Sequence, residues 1–332
     1  MRHANQIISA CVSAEEEDVL PSASELLPTI DDALEKTSQP PARSVSVPTQ
    51  SEFDSVKTLL VDDRHRIELE ELVADYSNRL SQHLSSEEFG TSGPLTSKVL
   101  STRLSRYEQL TDELMRVFAI GCYWGTDSQQ SLWVRALEQI ALRPGDSHGA
   151  TAFRKLQYYP ALLLLYSGSV AAIAAERYDT FRALAVTAQV RDRGTSEALV
   201  GRVVSNAVLE KETGQLLPEF ARRKAPTSDR LFDIIEKPIQ ETPISKRQYE
   251  RAFDRCEILL ALVRLDLLKR PGSIGRFVWK HQVIDDVESE AELAGSVWAP
   301  LQAGLFDGSM DKFTSVCSQY RAWLGEHPDF YD

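Results

Sequence analysis

The chain has 332 residues, with 49 acidic side chains against 37 lysines and arginines, a formal net charge of −12. That balance argues against a general nucleic-acid binder, because gripping a phosphate backbone needs a net basic face that displaces counterions. Hydrophobic residues at 42% and charged residues at 26% are ordinary for a chain that buries a core.

Residues 1–52 differ in composition from the rest. They hold nine acidic and three basic residues, a net of −6, and prolines at 21, 28, 40, 41 and 48 interrupt any long helix. The stretch TSQPPARSVSVPTQSE reads as a linker, so 1–52 is expected to be a mostly disordered acidic leader, with Thr29 capping at most a short helix over Ile30 to Lys36. The acidic run Glu15 to Asp18 arrives before any sustained apolar stretch, which argues against a signal peptide. Cys11, Cys122, Cys256 and Cys317 are widely spaced and form no CxxC pair, the pattern of free thiols in a reducing cytosol.

Residues 53–332 read as one all-helical domain. Val56, Leu59 and Leu60 open an apolar stripe that Leu69, Leu72, Val73, Tyr76, Leu80 and Leu84 continue at three- and four-residue steps, up to the break at Gly90 to Pro94. Leu100, Leu104, Tyr107, Leu114 and Val117 predict a helix running to Gly121. Leu132, Trp133, Ala136, Leu137 and Ile140 predict the next, stopped at Pro144 and Gly145. A helix over Phe153 to Tyr159 then leads into Leu156–Ala175, 20 consecutive uncharged residues with Pro160 tolerated in the first turn.

That charge-free segment is long enough to cross a bilayer. Gln157, Pro160, Ser167, Gly168 and Ser169 weaken it as a span, however, and its small residues suit close helix packing. A buried central helix is therefore the expected reading, with membrane association through 156–175 as the alternative. Asp179 is expected to cap a following helix carrying Phe181, Leu184 and Val190. From Ala198 to Leu209 the valines fit a helix or a short strand equally. Ser245 and Gln248 form a capping-box signature ahead of Tyr249, Phe253, Cys256, Leu260, Val263 and Leu267, and Pro271 with Gly272 ends that helix. Ser309 heads a last helix carrying Phe313, Cys317, Tyr320 and Trp323. The fold class is all-α, an irregular multi-helix bundle of about ten helices with little or no sheet.

The sequence assigns no catalytic, cofactor-binding or metal-ligating residue. No GxxxxGK[ST] loop occurs, and Gly272 and Gly275 in PGSIGRF read as a turn. The six histidines, His3, His65, His83, His148, His281 and His327, never pair at ligand spacing; His65 in DDRHR reads as part of a solvated face. The adjacent carboxylates Glu70/Glu71 and Asp285/Asp286 diverge by about 100° on a helix and cannot share a substrate. Arg222, Arg223 and Lys224 form a basic cluster, read as loop neutralisation, with a local nucleic-acid or acidic-partner contact as the other reading. Tyr123, Trp124, Trp133, Tyr158 and Tyr159 are read as core packing rather than a ligand pocket.

Several stretches carry a resemblance: RIELEELVADYSNRL, YEQLTDELMRVFAIGCYWG, LWVRALEQIA, LQYYPALLLLYSGSVAAIAAERYDTFRALA, YERAFDRCEILLALVRLDL, SIGRFVWK and PLQAGLFDGSMDKF. Together they span about Arg66 to Phe313 and resemble the helical C-terminal region of bacterial multidomain defence and regulatory proteins, the kind that carry Schlafen-type, AlbA-like modules. The resemblance implies a cytoplasmic, non-enzymatic interaction, sensor or scaffold role in an antiphage-defence-like or regulatory system, and transfers no site residue. Where an effector module is expected, this chain has only the acidic leader. The effector then acts in trans as a protein partner, or the chain is a remnant of a larger protein. An enzyme with a site assembled from distant helices is the alternative from another class.

Overall fold

Most of the stripes become helices where the periodicity puts them in the computed structural model, which describes residues 50–142, 149–192, 194–218, 225–272, 275–279 and 282–326. The body lies in a unit that starts at Pro48. The acidic leader, including Thr29 and Cys11, falls outside the described residues. Helices α1 (Gln50–Val61) and α2 (Arg66–Leu84) flank a turn that Asp62 caps by accepting the Arg64 N–H at 3.0 Å. Thr96 caps α3 (Ser97–Trp124), and a Thr126/Gln129 capping box precedes α4 (Gln130–Ala141).

Next come α5 (Thr151–Leu156), α6 (Tyr159–Ala174) and α7 (Tyr178–Arg182). A π-turn over Ala183–Thr187 leads into β1 (Gln189–Asp192) and β2 (Thr195–Ala198), an antiparallel hairpin pairing Gln189 with Ala198 and Asp192 with Thr195. The rest is helical: α8 (Ser205–Val208), α9 (Lys211–Gly214), α10 (Pro226–Ile239), α11 (Lys246–Leu268), α12 (Gln282–Ala294), α13 (Ala299–Gln302) and α14 (Met310–Gly325). The fold is all-α. Ser245 and Ser309 cap α11 and α14 as their sequences indicate, and Ser245 and Gln248 close the full capping box.

Three local expectations need correction, and one open reading is resolved. The helix drawn through Phe181, Leu184 and Val190 ends with the π-turn at Thr187, and Val190 lies in β1, because the chain turns extended at Ala188 and Gly194, at φ +85°, closes a tight hairpin. Asp179 sits inside the first turn of α7, and Arg177 occupies the cap position. The Phe153 to Tyr159 helix stops at Leu156, with Tyr159 opening α6. The valine-rich stretch 198–209 is mostly neither long helix nor strand: after Ala198 ends β2 come a 3-10 turn at Leu199–Gly201 and the single turn α8. Its valines 200, 203, 204 and 208 are all buried, so burial rather than periodicity explains them.

Helix α6 is the axis of the body. Every residue from Tyr159 to Ile173 is buried, and α3, α10, α11 and α4 pack around it. Thr151–Ala174 is the one candidate membrane span among the described residues by length and composition, yet 89% of its most apolar window is buried by the rest of the chain.

The tightest contact is with α3. A Cβ on Gly168 would lie 2.9 Å from Leu184, 3.0 Å from Cys122 Sγ and 3.3 Å from Phe118, and the Ser167 hydroxyl donates to the Met115 carbonyl at 2.7 Å. Next to this face of α3, Gly121 receives the Trp133 indole of α4, which also meets Phe118 edge-to-face at 5.6 Å. A Cβ at Gly121 would lie 2.0 Å from that ring. Gly121→Ala should therefore destabilise the protein by about 1–3 kcal/mol through overpacking, despite the roughly 1 kcal/mol that alanine gains over glycine inside a helix. Urea unfolding followed by circular dichroism measures the balance.

Candidate functional site

Helix α11 is buried almost all round from Ala252 to Asp266, between α6 and α10 on one side and α12 and α14 on the other. Any charged residue in its middle is consequently taken out of water, where it needs a partner or a proton. Asp254 and Glu257, three residues apart on one face, are each 4% exposed. The Ser228 hydroxyl of α10 donates to Glu257 Oε2 at 2.8 Å, and Tyr166 of α6 approaches Oε1 at 3.4 Å.

The backbone of Gly275 and the Arg276 side chain close over these carboxyls. The Arg276 N–H donates to Ser228 Oγ at 2.9 Å, its guanidinium lies 3.6 Å from Asp254 Oδ1, and the same group stacks 3.6 Å over the Phe232 ring. Gly275 is there because its backbone abuts the acid: a Cβ would lie 2.2 Å from Glu257 Oε2. Gly272 likewise presses on Ala261 Cα, at 2.2 Å from the position of a Cβ. Burial, reinforced by the Asp254 charge and opposed by the Ser228 hydrogen bond, pushes the Glu257 carboxyl up to about 8. At neutral pH Glu257 is thus mainly a neutral acid inside the bundle.

Two further centres tie helices together, one half-buried and one at the surface. Arg230 of α10 grips Glu108 of α3 through Nε at 2.7 Å and Nη2 at 3.0 Å, and the Tyr159 hydroxyl donates to the same Glu108 Oε1 at 2.8 Å. Burial pushes the Tyr159 phenol well above its ordinary range, with the Glu108 charge adding to it. Arg255 of α11 donates through Nη2 to Glu290 of α12 at 2.7 Å, and Trp298 Nε1–H donates to the same carboxylate at 2.9 Å. The Arg255 hydrogen bond holds Glu290 below the usual carboxylate range. Chemically these centres crosslink helices: their donors and acceptors face one another.

The features singled out in the sequence fall in separate places. His65 lies 3.7 Å from Glu68 on an exposed turn, and Asp62 is taken by Arg64, whose hydrogen bond holds its carboxyl down. Glu70 pairs with Arg66 at 3.1 Å, whereas Glu71 faces solvent. Asp285 pairs with Arg321 at 2.5 Å, whereas Asp286 faces solvent, so neither adjacent pair converges. Trp133 and Tyr159 are core residues, Tyr123 and Tyr158 are half-buried, and Trp124 is exposed beneath Lys57. Arg222, Arg223 and Lys224 lie outside the described residues, as do His3, His148, His281 and His327. No group of three or more His, Cys, Asp or Glu residues suited to a metal occurs among the described residues.

Periodicity missed α10, although Pro226 at its start and Leu231, Ile235 and Ile239 at four-residue steps mark it. It also missed Glu257 and Asp254, which flank the apolar stripe of α11. The available signal was the glycine pair in PGSIGRF, which the structure sets against Ala261 and Glu257. Compared with protein families, curated proteins and solved structures, the chain finds no match in any of the three.

Two outcomes follow from the partnering. Glu108→Gln leaves the Arg230 guanidinium facing a neutral amide, and a loss of about 2–3 kcal/mol is expected in urea denaturation. Cys122, Cys256 and Cys317 are free and buried, and burial pushes each thiol above its ordinary range. All three should resist an aromatic disulfide reagent at pH 8 in the native protein and react once guanidinium unfolds it.

Proposed function

We propose that this chain is a non-enzymatic helical interaction module, a sensor or scaffold subunit that works through a protein partner in a bacterial antiphage-defence-like or regulatory system. The observation that carries this reading is the outer face of α12. That helix holds five carboxylates and no basic residue. Asp285 and Glu288 are taken by Arg321, and Glu290 by Arg255. Asp286 and Glu292 face solvent with no cation partner among the described residues, and beside them Leu293 is 91% exposed and Val297 72% exposed.

Two bare aliphatic side chains within an acidic rim fit a protein partner that brings a basic segment with an apolar contact of its own. The inward ties of the buried carboxylates and the protonated thiols support a structural use of the interior. The free cysteines accord with a cytoplasmic setting.

A photo-crosslinking amino acid placed at Leu293 tests the reading in the native host. A single dominant adduct is expected, its crosslinked peptide rich in lysine or arginine, and the double variant Asp286→Lys/Glu292→Lys should lose it. If position 293 captures no more than the exposed control position Gln319, the reading fails.

A further inference from the structure

Arg264 is a buried cation with one edge left open. It stands on α11 and is 9% exposed, and a guanidinium held away from water needs acceptors for its N–H groups and an anion to balance its charge. Nη1 is supplied, by the Pro271 carbonyl at 3.0 Å and more loosely by Asn206 Oδ1 of α8 at 3.4 Å. Nε is buried without a hydrogen-bond partner, and no group among the described residues accepts from Nη2. Nε and Nη2 form the edge on which arginine presents two parallel N–H groups to a carboxylate or a phosphate.

No carboxylate fills that edge: Arg264 forms no ion pair among the described residues. Asp266, two residues on, is taken by Lys312 at 2.8 Å, and Glu197, which lies with the Leu268 side chain beside Gly201, is taken by Arg202. The neighbouring charge is instead of like sign. Lys269, left-handed at φ +53°, reverses the chain at the end of α11, and Arg270 stands exposed next to the Pro271 carbonyl that Arg264 holds. Burial lowers the Arg264 guanidinium from its ordinary range, and the Arg270 charge lowers it further. Arg270 likewise has no carboxylate partner among the described residues. Two arginines that repel each other, one of them desolvated, are both stabilised by an anion lodged against them.

We propose that Arg264 and Arg270 form a binding site for a dianionic phosphate group, either a phosphate monoester or inorganic phosphate, seated on the Nε/Nη2 edge of Arg264 with Arg270 supplying the second positive charge. Two cations match a dianion. A phosphodiester or a carboxylate carries one charge and leaves half of the pair unbalanced. The site uses the end of α11 and the residues that follow it, not α12, and does not rest on the partner reading.

Isothermal titration of the full chain at constant ionic strength and pH 8 tests this with inorganic phosphate, methyl phosphate and dimethyl phosphate, of which the first two are dianions. Those two should bind at one saturable site, and dimethyl phosphate on the order of tenfold more weakly. Equal binding of the two dianions identifies a monoester ligand; binding of phosphate alone identifies the free ion. Arg270→Gln, at an exposed position, should weaken phosphate binding about fivefold or more, and Arg264→Lys, which keeps the charge and loses the fork, about tenfold. Phosphate should also slow modification of Arg270 by phenylglyoxal, read by mass spectrometry, while the exposed Arg247 at the other end of α11 reacts as before. Absence of saturable phosphate binding, binding unchanged in Arg270→Gln, or dimethyl phosphate bound as tightly as phosphate overturns the proposal. Should Arg264→Lys fail to fold, Arg270→Gln and the protection of Arg270 decide it.

Discussion

The body depends on one close approach, that of α3 and α6. A helix whose sixteen residues carry no charge cannot face water on any side without exposing apolar surface, so it must be enclosed. Enclosure at van der Waals distance requires small residues at the crossing. Gly168 lets Phe118, Cys122 and Leu184 close on the α6 backbone, and Ser167 returns a hydrogen bond to the Met115 carbonyl. Each leucine of the run Leu162–Leu165 buried in this way contributes about 1.5–3 kcal/mol relative to exposure. The remaining helices are arranged around this pair.

Enclosing α6 places α11 in the interior as well. Helix α11 then carries Asp254, Arg255, Glu257, Arg264 and Asp266 into the space between α6 and the C-terminal helices. Buried charge is costly unless it is paired, hydrogen-bonded or neutralised, and the structure uses all three. Arg255 pairs with Glu290, Asp266 accepts from Lys312 at 2.8 Å, Arg264 donates to the Pro271 carbonyl at 3.0 Å, and Glu257 keeps a proton beside Ser228. Specificity of helix placement follows, because each tie fits only one register of its two partners.

The interior and the exterior thus carry different chemistry. Inside, carboxylates and guanidinium groups face each other between helices, so their reactivity is turned toward cohesion. Outside, α12 keeps an acidic face with bare Leu293 on it and bare Val297 in the turn that follows. The proposed partner-binding role draws on the second of these.

The long helices were legible because their burial is one-sided: the stripes from Leu69 to Leu80 and from Leu100 to Val117 repeat at helical spacing, and Ser245 with Gln248 announces its own helix start. Chain-local chemistry determined these elements, the all-α class and the capping boxes. The hairpin at Gln189–Ala198 and the broken valine stretch after it were not legible, since short β-branched segments pack equally well in several backbone forms. The Glu257 centre was also beyond local reading. Asp254 and Glu257 look like ordinary helix-surface acids until α6, α10 and the Gly275 turn close over them, and the same holds for Glu108 and Arg230, 122 residues apart. Composition and periodicity fixed which residues prefer a helix and which faces are apolar; only the tertiary structure decided which charges lose their water, because desolvation depends on neighbours that lie far away in the chain.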